Sequence, residues 1–317
     1  MSSPIILKPP RLKHGDLIGV LSPASAPSAW EKIEKGVRYL EGLGYRVEVG
    51  KHAMSGKGYL AGEDAERLAD LNGMLENPRI KAVFATRGGY GTPRLLGRIN
   101  YRAVRRTPKI LVGYSDITAL QLALFRKTGL ITFSGPMVAV EMWDAIDPYT
   151  EEHFWRMLTS ASPVGPLLNP VEDPLEVRRE GVVRGRLLGG NMSLLLSLLG
   201  TPFSPDYRGA VLVLEDVDEA PHRIDRMFAQ LANAGVLRRI HAMVLGKFSD
   251  CVPSDASKPH LTTPQVLDEV VEALHVPVLA NLQYGHVPKK LTLPLGARVR
   301  LDAANRVLEV RESVVRS

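Results

Sequence analysis

Three polar residues far apart in the chain could do nucleophilic chemistry together. Ser115 closes the run Ile110-Leu-Val-Gly-Tyr-Ser115, an apolar strand that turns straight into helix-forming sequence. A serine at the carboxyl edge of a parallel sheet can project into a ligand crevice, and the helix start behind it offers free N–H groups, that of Asp116 among them, to a developing oxyanion. The same serine also suits a plain helix cap. The glycine spacing of a nucleophile elbow is met at Gly113 and missed at Ile117. Glu215 ends the apolar run Val211-Leu-Val-Leu, on the face shared by Val211 and Val213, where an acid is either solvated or set toward a partner. His286 follows Leu279-Ala-Asn-Leu-Gln-Tyr-Gly and is the one histidine of eight carried just past a strand end. The order Ser115, Glu215, His286 suits a serine hydrolase triad assembled across two domains.

A second motif, Ala85-Thr-Arg-Gly-Gly-Tyr-Gly-Thr-Pro93, is a strand-to-helix turn with three glycines. Its N–H groups can hold an anion, or the glycines can simply make a tight turn. As a dinucleotide fingerprint it is a weak match, because Arg94 stands where the third glycine belongs.

The elements that must position these residues alternate between strand and helix. Strands are predicted at 16–21, 45–49, 81–86 and 109–113. Helices are predicted after the capping box Ser28 to Glu31, over 65–75, after Pro93 and after Ser115. From about Asp147 to Arg186 five prolines interrupt the text, which reads as a connection. Helices near 191–199, 224–232 and after Thr263-Pro264 then alternate with strands at 210–214, 242–246, 278–282, 298–301 and 307–310. The expectation is an α/β protein of two domains. Residues 1–150 form a mostly parallel sheet with flanking helices and carry the nucleophile, 151–185 form a Pro-rich linker, and 186–317 form an α/β domain with a mixed sheet that carries Glu215 and His286.

Composition narrows the classes. With 317 residues, 45% apolar and 23% charged, the chain can bury a core. Its single cysteine, Cys251, excludes a disulfide framework and Cys-based metal clusters, and no HExxH pair is present. Forty Lys and Arg against 34 Asp and Glu leave +6, scattered, with 6% aromatics, so no nucleic-acid stripe is expected. No segment has signal-peptide or membrane-span length, and a cytoplasmic, membrane-free protein is expected.

Taken together, the motifs resemble the LD-carboxypeptidase family of serine peptidases. The similar stretches are Arg87-Gly-Gly-Tyr-Gly91, Gly113-Tyr-Ser-Asp-Ile-Thr118, Gly189-Gly-Asn191, Leu214-Glu-Asp216 with Ile224-Asp-Arg226, Leu245-Gly-Lys-Phe248, and Gly285-His286 with Leu293-Pro-Leu-Gly296. The resemblance implies Ser115 as nucleophile, Glu215 and His286 as its triad partners, and the backbone N–H groups of Gly89 and Asp116 as oxyanion donors. It also implies Asn191 as a substrate contact, no metal or other cofactor, and a homodimer. The substrate implied is a murein tetrapeptide that loses its terminal D-alanine. The alternatives are a microcin-immunity-like peptidase acting on a peptidyl nucleotide, and a non-catalytic nucleotide-binding Rossmann-like protein. His222 stands where many relatives have tyrosine, and so puts a second imidazole in question.

Overall fold

The computed structural model describes residues 5–317. The first half runs β1 (Leu17–Leu21), α1 (Trp30–Gly42), β2 (Arg46–Val49), α2 (Asp64–Glu76), β3 (Ile80–Ala85), α3 (Tyr101–Arg106), β4 (Ile110–Val112), α4 (Ile117–Thr128) and β5 (Thr132–Ser134). β1, β3, β4 and β5 are almost wholly buried on both faces, as parallel strands sheathed by helices must be. α1 turns Ile33, Gly36 and Leu40 inward at helical spacing.

The second half runs α5 (Pro148–Thr159), β6 (Gly165–Pro166), β7 (Glu176–Arg179), β8 (Val182–Asn191), α6 (Met192–Ser197), β9 (Ala210–Val217), α7 (Pro221–Asn233), β10 (Ala242–Ser249), α8 (Thr263–Ala273), β11 (Val278–Ala280), β12 (Leu293–Leu295), β13 (Arg298–Asp302) and β14 (Val307–Val310). The strands form two sheets, ordered β12-β5-β4-β3-β1-β2 and β6-β14-β13-β8-β9-β10-β11-β7. The first is parallel except for β12, and the second is mixed, with β8 to β11 parallel at its centre. This is the two-sheet α/β architecture that the alternation predicts. In the first sheet the strand order reverses between β1 and β3, and ligands collect beside the loops at such a reversal.

The two halves are stitched together. β12 crosses to the first sheet, with Leu293 opposite Ser134, and Ser134 Oγ lies 2.7 Å from the Tyr284 hydroxyl. One apolar cluster holds Leu120 with Leu212 and Leu245, and another holds Phe133 with Val213 and Leu295.

Several local expectations change. α1 begins at Trp30 with Ala29 at its cap and no side-chain cap bond, so Ser28 does not open it. Capping boxes stand instead at α2, where Glu63 and Glu66 exchange bonds with the helix-start backbone, and at α8, where Thr262 and Gln265 do so. The stretch after Pro93 is two short 3₁₀ turns followed by α3. The proline-interrupted stretch 147–186 is built structure: it contains α5, β6, β7 and the start of β8. Pro148 is the first residue of α5, where a missing N–H costs nothing, and Asp147 caps it by accepting from the Tyr149 N–H. β5 and β12 come in addition to the expected strands.

Candidate active site

Ser115 sits three residues beyond β4 with φ of +62°, a left-handed conformation that a residue with a side chain adopts at a cost of about 1–3 kcal/mol. A serine acting only as a cap would adopt extended backbone and accept from the helix start. Here Asp116 occupies the cap position and its side chain makes no cap bond. The strain lifts Ser115 out of the helix line and leaves it half-buried at the edge of the sheet.

The glycine turn after β3 is tied to the turn that carries Ser115. Asp116 Oδ1 and Oδ2 accept from the N–H groups of Gly91 (3.2 Å) and Thr92 (2.9 Å), and the Asp116 carbonyl accepts from Thr92 Oγ1 at 2.6 Å. Burial pushes the Asp116 carboxyl above its ordinary range, against the pull of the Thr92 and Gly91 hydrogen bonds. Gly88 is where the two turns touch: a Cβ there would lie 2.8 Å from Ser115 Cβ and 3.0 Å from its Oγ. Among the described residues the N–H groups of Gly89 and Asp116 have no hydrogen-bond partner, so both remain available to an anion formed beside Ser115.

Glu215 and His286 meet. β9 runs on through Asp216 and Val217, so Glu215 is not its last residue, and its side chain is fully buried rather than solvated. Glu215 Oε2 lies 2.8 Å from His286 Nδ1, while its Oε1 is buried and has no partner among the described residues. With Nδ1 directed at the carboxylate, the neutral imidazole leaves Nε2 free to accept a proton. Gly285 makes the approach possible, with φ of +124° and space for a Cβ only 2.9 Å from Glu215 Oε2. The His286 side chain keeps 20% of its surface exposed, enough to face a substrate.

Sequence reasoning did not single out the wall beside this pair. Tyr114, next to Ser115, packs its ring edgewise on His286 with centroids 5.1 Å apart. Its hydroxyl donates to Glu141 Oε1 at 2.8 Å and accepts from Lys290 Nζ at 3.0 Å, and Lys290 also pairs with Glu141. Burial, then Glu141, pushes the Tyr114 phenol far above its usual range. Tyr114, Glu141, Trp143, Asp147, His286 and Lys290 line a cleft of about 460 Å³. Ser115 and His286 are not hydrogen-bonded to each other; Tyr114 bridges them, and such contacts often close only when substrate is bound.

Asn191 is nearly buried at the end of β8, in register with Glu215. Its Oδ1 accepts from the Leu194 N–H and its Nδ2 donates to Asp216 Oδ1, while its backbone N–H donates to Thr118 Oγ1 in α4. Asn191 therefore locks the second sheet to the helix behind Ser115. Asp216, which points to the opposite face from Glu215, takes this bond and two from Ser193. The adjacent acids Glu215-Asp216 were the one sequence signal for it. His222 is exposed at the start of α7 and belongs to neither group. Among the described residues no helix is long and apolar enough to cross a membrane.

Two family models match the chain, described as the LD-carboxypeptidase N-terminal domain over residues 18–135 and the LD-carboxypeptidase C-terminal domain over residues 184–301. A probable murein peptide carboxypeptidase of Bacillus subtilis is 38% identical, with 97% of this chain and 95% of the relative covered. The microcin C7 self-immunity protein MccF of Escherichia coli is 31% identical, with 98% and 97% covered. A structure of MccF in complex with glutamyl sulfamoyl guanosine superposes with a TM-score of 0.89 at 30% identity, covering 98% of this chain and 99% of the other. The crystal structure of muramoyltetrapeptide carboxypeptidase from Oxalobacter formigenes superposes with a TM-score of 0.83 at 30% identity, covering 95% and 100%.

Proposed function

Since the chain belongs to the LD-carboxypeptidase family, we propose that it is a serine peptidase that releases the terminal D-alanine of murein tetrapeptides, with Ser115, His286 and Glu215 as its working triad. The observation that carries the reading is the buried Glu215 carboxylate 2.8 Å from His286 Nδ1, one aromatic ring away from a strained serine.

Each residue then has one task. His286 Nε2 takes the Ser115 proton as Oγ attacks the carbonyl of the bond to the last residue. Glu215 holds the ring and balances the imidazolium. The Gly89 and Asp116 N–H groups receive the oxyanion. His286 returns the proton to the departing amine, and water then releases the acyl group by the same route in reverse. Asn191 serves this site by position, through Thr118 and Asp216, although the resemblance assigns it to substrate. The reading also carries a homodimer and a cytoplasmic setting, both resting on the resemblance. Light scattering on the eluting protein and cell fractionation test them.

The likeness to MccF supports a second reading, a peptidase acting on a peptidyl nucleotide. The test is a side-by-side rate comparison. Release of alanine from a murein tetrapeptide at a kcat/KM at least tenfold above that for an aminoacyl sulfamoyl nucleoside favours the first reading. The reverse ratio favours the second.

A further inference from the structure

An exopeptidase must tell the last residue of its substrate from an internal one, and what marks that residue is a free carboxylate. Taking such an anion out of water requires a cation whose own charge is not already matched. Most cations around the crevice are matched. Lys290 is held by Glu141 and Tyr114, and Lys247 donates to Asp173 and Asn281. Arg67 is spent on the Pro23 carbonyl and Asp64, and Arg94 on Asp64.

Arg87 is different. It follows Thr86 at the end of β3, is half-buried, and among the described residues its guanidinium has neither a hydrogen-bond nor an ion-pair partner. The next residue, Gly88, is the one seated against Ser115, and the one after it, Gly89, has a free N–H. Arg87 lies within electrostatic reach of Tyr114, the residue between Gly113 and Ser115 whose ring packs on His286. The turn itself is fixed by Asp116 and by the Tyr90 N–H donating to Ser25 Oγ, so the guanidinium extends from a rigid base. The carbonyl that Ser115 attacks and the terminal carboxylate are about one residue apart, roughly 3.8 Å in chain terms, a gap that one arginine side chain spans.

We propose that Arg87 is the specificity-determining residue that grips the substrate's C-terminal carboxylate in a bidentate pair while Ser115 attacks one residue upstream. This rests on the peptidase reading above. It identifies the chemistry recognised: a free α-carboxylate, not the amide of a continuing chain.

The experiment pairs two substrates with three proteins: a murein tetrapeptide ending in free D-alanine and the same peptide ending in D-alaninamide, each with wild type, Arg87→Ala and Arg87→Lys. Wild type should favour the acid by about 10²-fold in kcat/KM, the size expected for a charged hydrogen-bonded pair in a desolvated site. Arg87→Ala should lose about that factor on the acid, mostly through KM, and change less than about threefold on the amide. Arg87→Lys should fall between, because it keeps the charge and loses the fork. Equal losses on both substrates would make Arg87 a builder of the turn, and no loss on either would make it idle; both outcomes overturn the proposal. Should Arg87→Ala fail to give a cooperative melt, the acid-to-amide ratio of Arg87→Lys decides alone: a ratio equal to that of wild type overturns the proposal. If wild type cleaves neither peptide, the peptidase reading falls first and this one with it.

Discussion

Replacing Glu215 by glutamine keeps the shape of the side chain and removes its charge. In the proposed reaction an imidazolium forms on His286, whose Nδ1 is 2.8 Å from Glu215 Oε2. Charge centres about 4 Å apart at an effective permittivity near 20 attract by about 4 kcal/mol. At about 1.4 kcal/mol per tenfold this is close to three decades in rate. The tautomer adds a further loss: a glutamine that offers its N–H to Nδ1 leaves the ring proton on Nε2, where a base must be empty. Glu215→Gln should therefore lower kcat by about 10³- to 10⁴-fold. Stability should move the other way. Glu215 is fully buried and its Oε1 has no partner among the described residues, so a neutral amide there removes a poorly compensated charge. The assay is steady-state release of D-alanine, alongside a thermal melt. A folded Glu215→Gln protein within tenfold of wild-type kcat would refute the reasoning, and so would a loss of rate accompanied by a collapse in Tm.

Other outcomes follow from the same geometry. Gly88→Ala should cut kcat by at least about 10²-fold while the protein stays folded, because the new methyl meets Ser115 Cβ at 2.8 Å and shifts the nucleophile; kinetics and circular dichroism on one preparation check it. Lys109 is buried at the base of β4, and burial, then Lys81, pulls its ammonium down to about 8 from 10.5. Between those values the unfolded chain holds a proton that the native one has lost, so stability should rise with pH across the window and fall away as pH drops through about 8. Urea midpoints from pH 7.5 to 10.5 should show that rise in wild type, and its persistence in Lys109→Met would argue against it. Burial pushes the Cys251 thiol up to about 11, so in native protein at pH 8 it should react with an aromatic disulfide about 10²-fold more slowly than an ordinary thiol, and at the ordinary rate in urea. His222→Tyr should leave the pH profile of kcat intact, since His222 is exposed on α7 and makes no hydrogen bond or ion pair with Glu215 or His286.

What was legible in the sequence follows from how local each signal is. The alternation of strands and helices, and the face on which Glu215 lies, come from periods of two and 3.6 residues written within single segments. The serine turn showed itself because an apolar strand broke at Gly113 and resumed as a helix. β5 and β12 escaped notice because each is three residues long and pairs with a strand about 160 positions away. α5 was masked by Pro148, a helix breaker in the interior but a good first residue. In the sequence Glu215 looks like the end of β9, because Asp216 reads as a solvent-facing acid. In the fold, Asn191 and Ser193, brought alongside by β8 and α6, satisfy that carboxylate and let the strand continue. The wall of Tyr114, Glu141 and Lys290 joins three distant segments, and no local pattern could have announced it.

The most direct measurement is mass spectrometry of a murein tetrapeptide incubated with wild-type protein and with Ser115→Ala at equal concentration. Wild type should convert it to a species lighter by one alanine, and Ser115→Ala, with an unchanged melt, should do so about 10⁶-fold more slowly, so that no product is seen. Alanine released by folded Ser115→Ala at a rate near that of wild type would contradict the central claim that Ser115 is the nucleophile.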